Sequence, residues 1–143
     1  MRQQRGFSLI EALIALLVLS IGLIGIAAMQ LKALQSANAG YQRSVASVAA
    51  VDAQERLWAQ LALLGPGQTC EHINTAIVQQ AWRDYWFKSS SYQPLRGASE
   101  SQSSIIKSNA SDGCQIRINV ALSEDENDQL DYTFRLPWIE SSP

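Results

Sequence analysis

The sequence predicts an α+β protein: a long N-terminal α-helix, apolar enough in its first half to be transmembrane, packed on a small antiparallel β-sheet head. Three observations lead there. An almost uncharged apolar run extends from Phe7 to Met29, apolar residues keep helical spacing well beyond it, and two stretches near the C-terminus alternate apolar and polar residues. With 143 residues the chain can build one modest domain beyond a membrane segment, but not two.

Between Phe7 and Met29 the only charge is Glu11, and the stretch holds no proline. Its length matches the roughly 20 residues a helix needs to cross a bilayer core. A removable secretory signal is the competing reading, because Arg2 and Arg5 precede the apolar run. The run is longer than the core of such a signal, however, and no small-residue cleavage site in a polar break follows it. The two arginines orient the N-terminus toward the cytoplasm, so the rest of the chain projects outward.

Helix formers continue through residues 31–64, with Leu31, Leu34, Tyr41, Val45, Val48, Leu57, Trp58, Leu61 and Leu64 as the expected apolar stripe. The helix should stop at Gly65-Pro66-Gly67, where glycine suits a C-terminal cap and proline cannot continue the ladder. A helix from Ser8 to Leu64 is a rod of roughly 85 Å. Gly22, Gly25 and Gly40 each weaken it by about 1 kcal/mol relative to alanine. A coiled-coil stalk is the alternative for the outer half. Alanine, glutamine and serine interrupt its heptads, so docking on the chain's own head is expected instead.

The head occupies residues 65–143. A short helix after Cys70 is expected to turn Ile73, Ile77, Ala81, Trp82, Tyr85 and Trp86 inward. The serine-rich stretch from Lys88 to Gly113 reads as loop, with Ile105 and Ile106 in a short strand. Cys114, Ile116, Ile118, Val120 and Leu122 then alternate with Gln115, Arg117 and Asn119. Leu130, Tyr132, Phe134 and Leu136 repeat the pattern, and Ser123–Gln129 between them makes the turn of an antiparallel hairpin with one wet face.

A formal net charge of -2 excludes the basic footprint of most nucleic-acid binders. The two cysteines, Cys70 and Cys114, lie far apart with no second cysteine or histidine at ligand spacing. An intrachain disulfide in an oxidising compartment is expected, rather than a zinc site. No catalytic, cofactor or metal site is predicted: His72, the sole histidine, reads as a surface residue, and no metalloprotease, nucleophile-elbow or phosphate-loop pattern occurs. The acids Glu124, Asp125, Glu126 and Asp128 lack the glycine and terminal glutamate spacing of a calcium loop and read as a solvated hairpin tip. Asn109-Ala110-Ser111 has the form of a glycosylation acceptor, a tripeptide that often arises by chance. Tyr85, Trp86 and Tyr92 near Lys88 and Arg96 could stack single-stranded nucleic acid. Core packing explains these aromatics more simply, so no nucleic-acid partner is expected.

The stretch "RGFSLIEALIAL" resembles the processing site of class I type IV prepilins: a short basic leader ending in glycine, then phenylalanine, then an apolar helix with glutamate as its fifth mature residue. The resemblance implies a pilin-like fold, cleavage by a prepilin peptidase between Gly6 and Phe7, and N-methylation of Phe7. It gives Glu11 a role as the assembly carboxylate, paired with the N-terminal amine of a neighbouring subunit. The regions become a leader at 1–6, a transmembrane and filament-core helix at 7–30, its outer amphipathic half at 31–64 and the head. The stretch "ALLVLSIGLIGIAAMQLKAL" is similar to that of PilV-type minor pilins.

That likeness implies a non-enzymatic subunit held in the bacterial inner membrane and then built into an extracellular pilus. Its implied partners are the major pilin, other minor pilins in an initiating tip complex, and a tip adhesin, with adhesion and twitching motility as the wider setting. A minor pseudopilin of a type II secretion system is the alternative, and a DNA-uptake pilin the third. Many major pilins carry a proline in this helix, whereas none occurs here, which favours a minor or specialised subunit.

Overall fold

The computed structural model describes residues 8–88, 94–95 and 97–138. In chain order the elements are α1 (Leu9–Ala62), a 3-10 turn (Cys70–His72), α2 (Thr75–Trp86), β1 (Ser99–Ala110), β2 (Gly113–Ala121) and β3 (Gln129–Pro137). This is the expected α+β arrangement of a long helix with a small antiparallel sheet. The chain divides into two units, Met1–Gly40 and Tyr41–Pro143.

In the first unit α1 is unbroken and its large apolar side chains are exposed on every side, Leu13, Leu17, Ile21 and Ile24 among them. A helix that is apolar all round is stable only inside a core or a membrane, and this one is long and apolar enough to cross a bilayer. The Ser20 hydroxyl donates to the Leu16 carbonyl at 2.7 Å, so this polar group is satisfied within the helix.

The second unit holds the core. Here α1 buries Ala46, Ala49, Ala50, Ala53, Leu57 and Leu61, a stripe at helical spacing. The expected stripe of larger residues is partly wrong, since Tyr41 is 62% and Val48 59% exposed, and Trp58 is exposed as well. Alanine wins because its small side chain lets the helix backbone come within reach of the indoles opposite. The Trp82 indole N–H donates to the Ala49 carbonyl at 2.8 Å, and that of Trp86 to Asp52 Oδ2 at 2.8 Å.

Helix α2 begins where Asn74 Oδ1 accepts the backbone N–H groups of Ala76 and Ile77. Its inward face is Val78, Trp82 and Trp86, not the set that includes Ile77, Ala81 and Tyr85. Ile77 is 65% and Tyr85 59% exposed, while Ile73 is buried before the helix starts. Two adjacent stripes of α2 are apolar, and the two indole hydrogen bonds to α1 decide which one turns inward.

The sheet has the order β1-β2-β3 with antiparallel pairing throughout. The serine-rich loop expected up to Gly113 is corrected, because Ser99–Ala110 forms a 12-residue strand. Partners elsewhere satisfy its polar groups. The buried Ser103 hydroxyl donates to the Ser99 carbonyl at 2.7 Å and accepts the Ala121 N–H at 3.0 Å, while Arg83 donates to the Ser103 carbonyl. Composition could not reveal partners that lie 18 and 20 residues away.

Strands β2 and β3 follow the expected alternation, with Ile116, Ile118, Val120 and Leu136 fully buried and Leu130, Tyr132 and Phe134 partly so. The loop between them closes with Leu122 N–H donating to Asp128 O at 2.8 Å. Asp125 Oδ1 accepts Asn127 N–H at 2.9 Å, and Asp128 faces Arg43 at 3.7 Å.

Gly113 opens β2 with φ 154°, and a Cβ there would run into the Leu136 carbonyl oxygen of β3. Gly113→Ala should therefore destabilise the head by about 1–3 kcal/mol, through displacement of backbone rather than of a flexible side chain. Thermal unfolding of the full chain in detergent, followed by tryptophan fluorescence, tests this, and a midpoint equal to wild type would refute it.

Candidate assembly and processing site

The N-terminus of α1 is set by Ser8, whose carbonyl accepts the N–H groups of Glu11 at 3.0 Å and Ala12 at 3.2 Å. Glu11 consequently lies in the first helical turn, where the positive end of the helix dipole favours a carboxylate. The side chain is exposed, and the helix around it is apolar. Gly6 and Phe7, with Arg2 and Arg5, lie outside the described residues.

Helical spacing places Ala15, Val18, Gly22 and Gly25 on the face that carries Glu11. Among the described residues, nothing lies within 4 Å of the position a Cβ would occupy at Gly22 or Gly25. The chain itself does not need glycine there. Small residues on an apolar helix let a neighbouring helix approach closely.

Cys70 and Cys114 are joined in a disulfide that spans 44 residues, with both residues fully buried. It ties the segment after α1 to the first residues of β2. His72, beside Cys70, is exposed and accepts the Thr69 N–H at Nδ1, 3.1 Å away, so it caps the 3-10 turn.

Tyr85, Trp86 and Lys88, three of the residues that could stack single-stranded nucleic acid, have other roles within the head. Trp86 is buried and bonded to Asp52, and Lys88 bridges Asp84 at 3.0 Å and Glu100 at 3.3 Å. The hydrogen bond that Lys88 donates to Asp84, helped by the one to Glu100, holds the pKa of the Lys88 ammonium above its ordinary value. Tyr85 is exposed beneath the Arg56 guanidinium, 5.7 Å from the ring centre. Tyr92 and Arg96 lie outside the described residues. Asp52, which no motif or spacing marks out, accepts from both Arg56 Nε and Trp86 and so links α1 to α2.

Residues 1–27 match the family model described as the prokaryotic N-terminal methylation motif, the type IV prepilin signature. No curated protein and no solved structure matches the chain significantly. The motif is shared by type IV pilin-like proteins, pseudopilins included, and its presence supports a protein of that kind. It implies processing by prepilin peptidase and assembly with other pilins, and together with the apolar helix it fits a membrane-anchored protein.

Proposed function

We propose that this chain is a PilV-like minor pilin of a type IV pilus. Prepilin peptidase cleaves after Gly6, the new amine on Phe7 is methylated, and the subunit waits in the inner membrane with its N-terminus cytoplasmic and its head periplasmic. It then joins other minor pilins in the complex that initiates the filament, which places it near the tip beside any adhesin, and the major pilin extends the shaft. The observation that carries this reading is the prepilin motif at residues 1–27 running into an unbroken, exposed apolar helix with Glu11 in its first turn.

The test is a deletion strain with cell-surface filaments sheared and quantified. Loss of filaments, restored by the wild-type chain and accompanied by the chain in the sheared fraction, supports the proposal. Normal filaments with a defect in protein export would transfer the chain to a secretion pseudopilus and overturn the pilus reading.

Processing gives a second expected result. Glycine at the cleaved junction lets a protease approach the backbone closely, so Gly6→Leu should retain its leader. A wild-type band that migrates with the mature chain and a Gly6→Leu band that migrates as the precursor is the expected blot. Equal migration at the mature position would contradict cleavage at Gly6.

A further inference from the structure

We propose that the outer edge of β3 docks a second copy of this chain, the two β3 strands pairing antiparallel about a two-fold axis at Thr133. With the order β1-β2-β3, the edges of the sheet are β1 and β3. The first is occupied. The outward Ile105 N–H of β1 donates to Gln79 Oε1 at 2.7 Å, the outward Ser103 carbonyl accepts Arg83 Nε at 3.0 Å, and the register breaks between Ser99 and Ser104. The second is open. Its ladder to β2 runs without a bulge from Gly113↔Pro137 to Ala121↔Gln129, and from Gln129 to Leu136 it holds no lysine or proline of the kind that blunts an edge.

Alternation identifies the peptide groups on that edge. Because Ile105 turns its N–H toward α2, it is Ser104, Ile106 and Ser108 that exchange bonds with Asn119, Arg117 and Gln115. Ile116, Ile118 and Val120 then bond Phe134, Tyr132 and Leu130. The N–H and C=O of Asp131, Thr133 and Arg135 are left pointing away from the sheet, and nothing among the described residues bonds them.

The sequence of the strand identifies the occupant. Residues 130–136 read LDYTFRL, and about Thr133 the stretch is its own chemical complement: Leu130 answers Leu136, Tyr132 answers Phe134, and Asp131 answers Arg135 with the opposite charge. A two-fold interface requires this, since whatever residue i meets on the partner must also meet residue i. A strand that serves an unrelated partner needs no such symmetry. The outward peptide groups fit the same axis. With Thr133 opposite Thr133 of the second copy, Asp131 lies opposite Arg135 in both directions, so all three outward positions fall in hydrogen-bonded pairs.

Charge selects this register over its neighbours. A slip of two residues leaves Asp131 and Arg135 opposite uncharged residues, and a slip of four sets Asp131 on Asp131 or Arg135 on Arg135, where like charges directly opposed are destabilising. The bond from Arg135 to Asp112 does not use up the guanidinium. Only Nη1 is engaged there, at 3.2 and 3.4 Å between two exposed side chains, and Nε and Nη2 bond no described residue. Asp131 accepts Asn119 Nδ2 on Oδ1 at 3.1 Å, while its Oδ2 bonds no described residue. On the inner face Leu130, Tyr132 and Phe134 are only partly buried, so the rings of the two copies would meet across the axis and extend the core over the seam.

The test inverts charge in the full chain. Arg135→Asp leaves only acids at the two positions and Asp131→Arg only bases, so each variant opposes like charges when it pairs with itself. A mixed pair of the two variants faces opposite charges at every position. Chains carrying two different tags are co-expressed, extracted in detergent and recovered by one tag, and the other tag measures pairing. Wild type should bring down its second copy, and each charge variant should bring down at least about tenfold less of itself. Arg135→Asp recovered with Asp131→Arg should return to within about twofold of wild type. Because the mixed pair contains the same chains that fail separately, misfolding cannot imitate this recovery. Thr133→Pro removes the central outward N–H without touching the ladder to β2, so it should also cut pairing at least about tenfold, whereas Thr133→Ala should leave it unchanged.

No second copy recovered with wild type, pairing indifferent to Thr133→Pro, or a mixed pair no better than either variant alone overturns the proposal. A different polypeptide retained in place of the second copy and lost from Thr133→Pro overturns the choice of occupant. None of these outcomes bears on processing at Phe7, which is measured separately, and the pairing does not rest on the pilus reading.

Discussion

Glu11→Ala is expected to insert into the membrane and lose its leader normally, yet to disappear from sheared filaments and fail to restore filaments in a strain lacking the native chain. A charge near a helix end costs far less than the roughly 2.5–3.5 kcal/mol assigned to the bilayer centre, and Glu11 lies in the first turn of α1, so removing it changes insertion little. Assembly is the sensitive step. In the proposed filament the carboxylate meets the charged N-terminal amine of a neighbour in an apolar packing. Removing one partner of a buried pair leaves the other charge uncompensated, at a cost of about 3–5 kcal/mol. That corresponds to a loss of incorporation of more than about a hundredfold. Membrane and sheared fractions blotted side by side decide the matter. Wild-type incorporation would reduce Glu11 to a carboxylate that merely complements the helix dipole.

The second large effect concerns Cys70 and Cys114. Replacing both by alanine opens a loop of 44 residues in sequence separation, which on the chain-entropy account costs about 4 kcal/mol. For a head of this size that is a drop of roughly 15–30 °C in the unfolding midpoint. The consequence is severe because the core beneath is small, with Trp82, Leu57, Ile116 and Ile118 its largest fully buried side chains. Tryptophan fluorescence of the full chain in detergent follows the transition through the buried Trp82 and Trp86. The double variant melting within about 3 °C of wild type would show that the bridge contributes little. Thiol labelling of unreduced, unfolded wild-type chain gives an independent check: no label is expected, and two reactive thiols would contradict the bridge.

What the sequence made legible follows from the kind of signal each element carries. Strands β2 and β3 announce themselves because one face is buried and the other wet, so alternation from Cys114 to Leu122 and from Leu130 to Leu136 survives in the residues themselves. The apolar helix is legible because nothing but a membrane or a core tolerates such a run, and the prepilin signature because Gly6, Phe7 and Glu11 keep fixed spacing. The errors arise where a partner element supplies the decisive contact. Hydropathy favours the larger neighbours over Ala46, Ala49, Ala50 and Ala53, although the smallness of these alanines is what admits the indoles of Trp82 and Trp86. The same indoles choose between two apolar stripes on α2. Of strand β1 only the short piece at Ile105 and Ile106 is legible, because its serines look like loop until the partners of Ser103 and Ile105, among them Gln79 and Arg83, are seen across the fold.

The roles proposed for Gly6, Phe7 and Glu11 all depend on processing of the N-terminus, and the intact mass of wild-type chain extracted from membranes tests it most directly. The predicted species begins at Phe7, carries one added methyl group on its N-terminal amine, and keeps the Cys70–Cys114 disulfide. A chain that still begins at Met1, or one cut beyond the apolar helix as a secretory signal would be, would contradict the assignment of Gly6, Phe7 and Glu11 together.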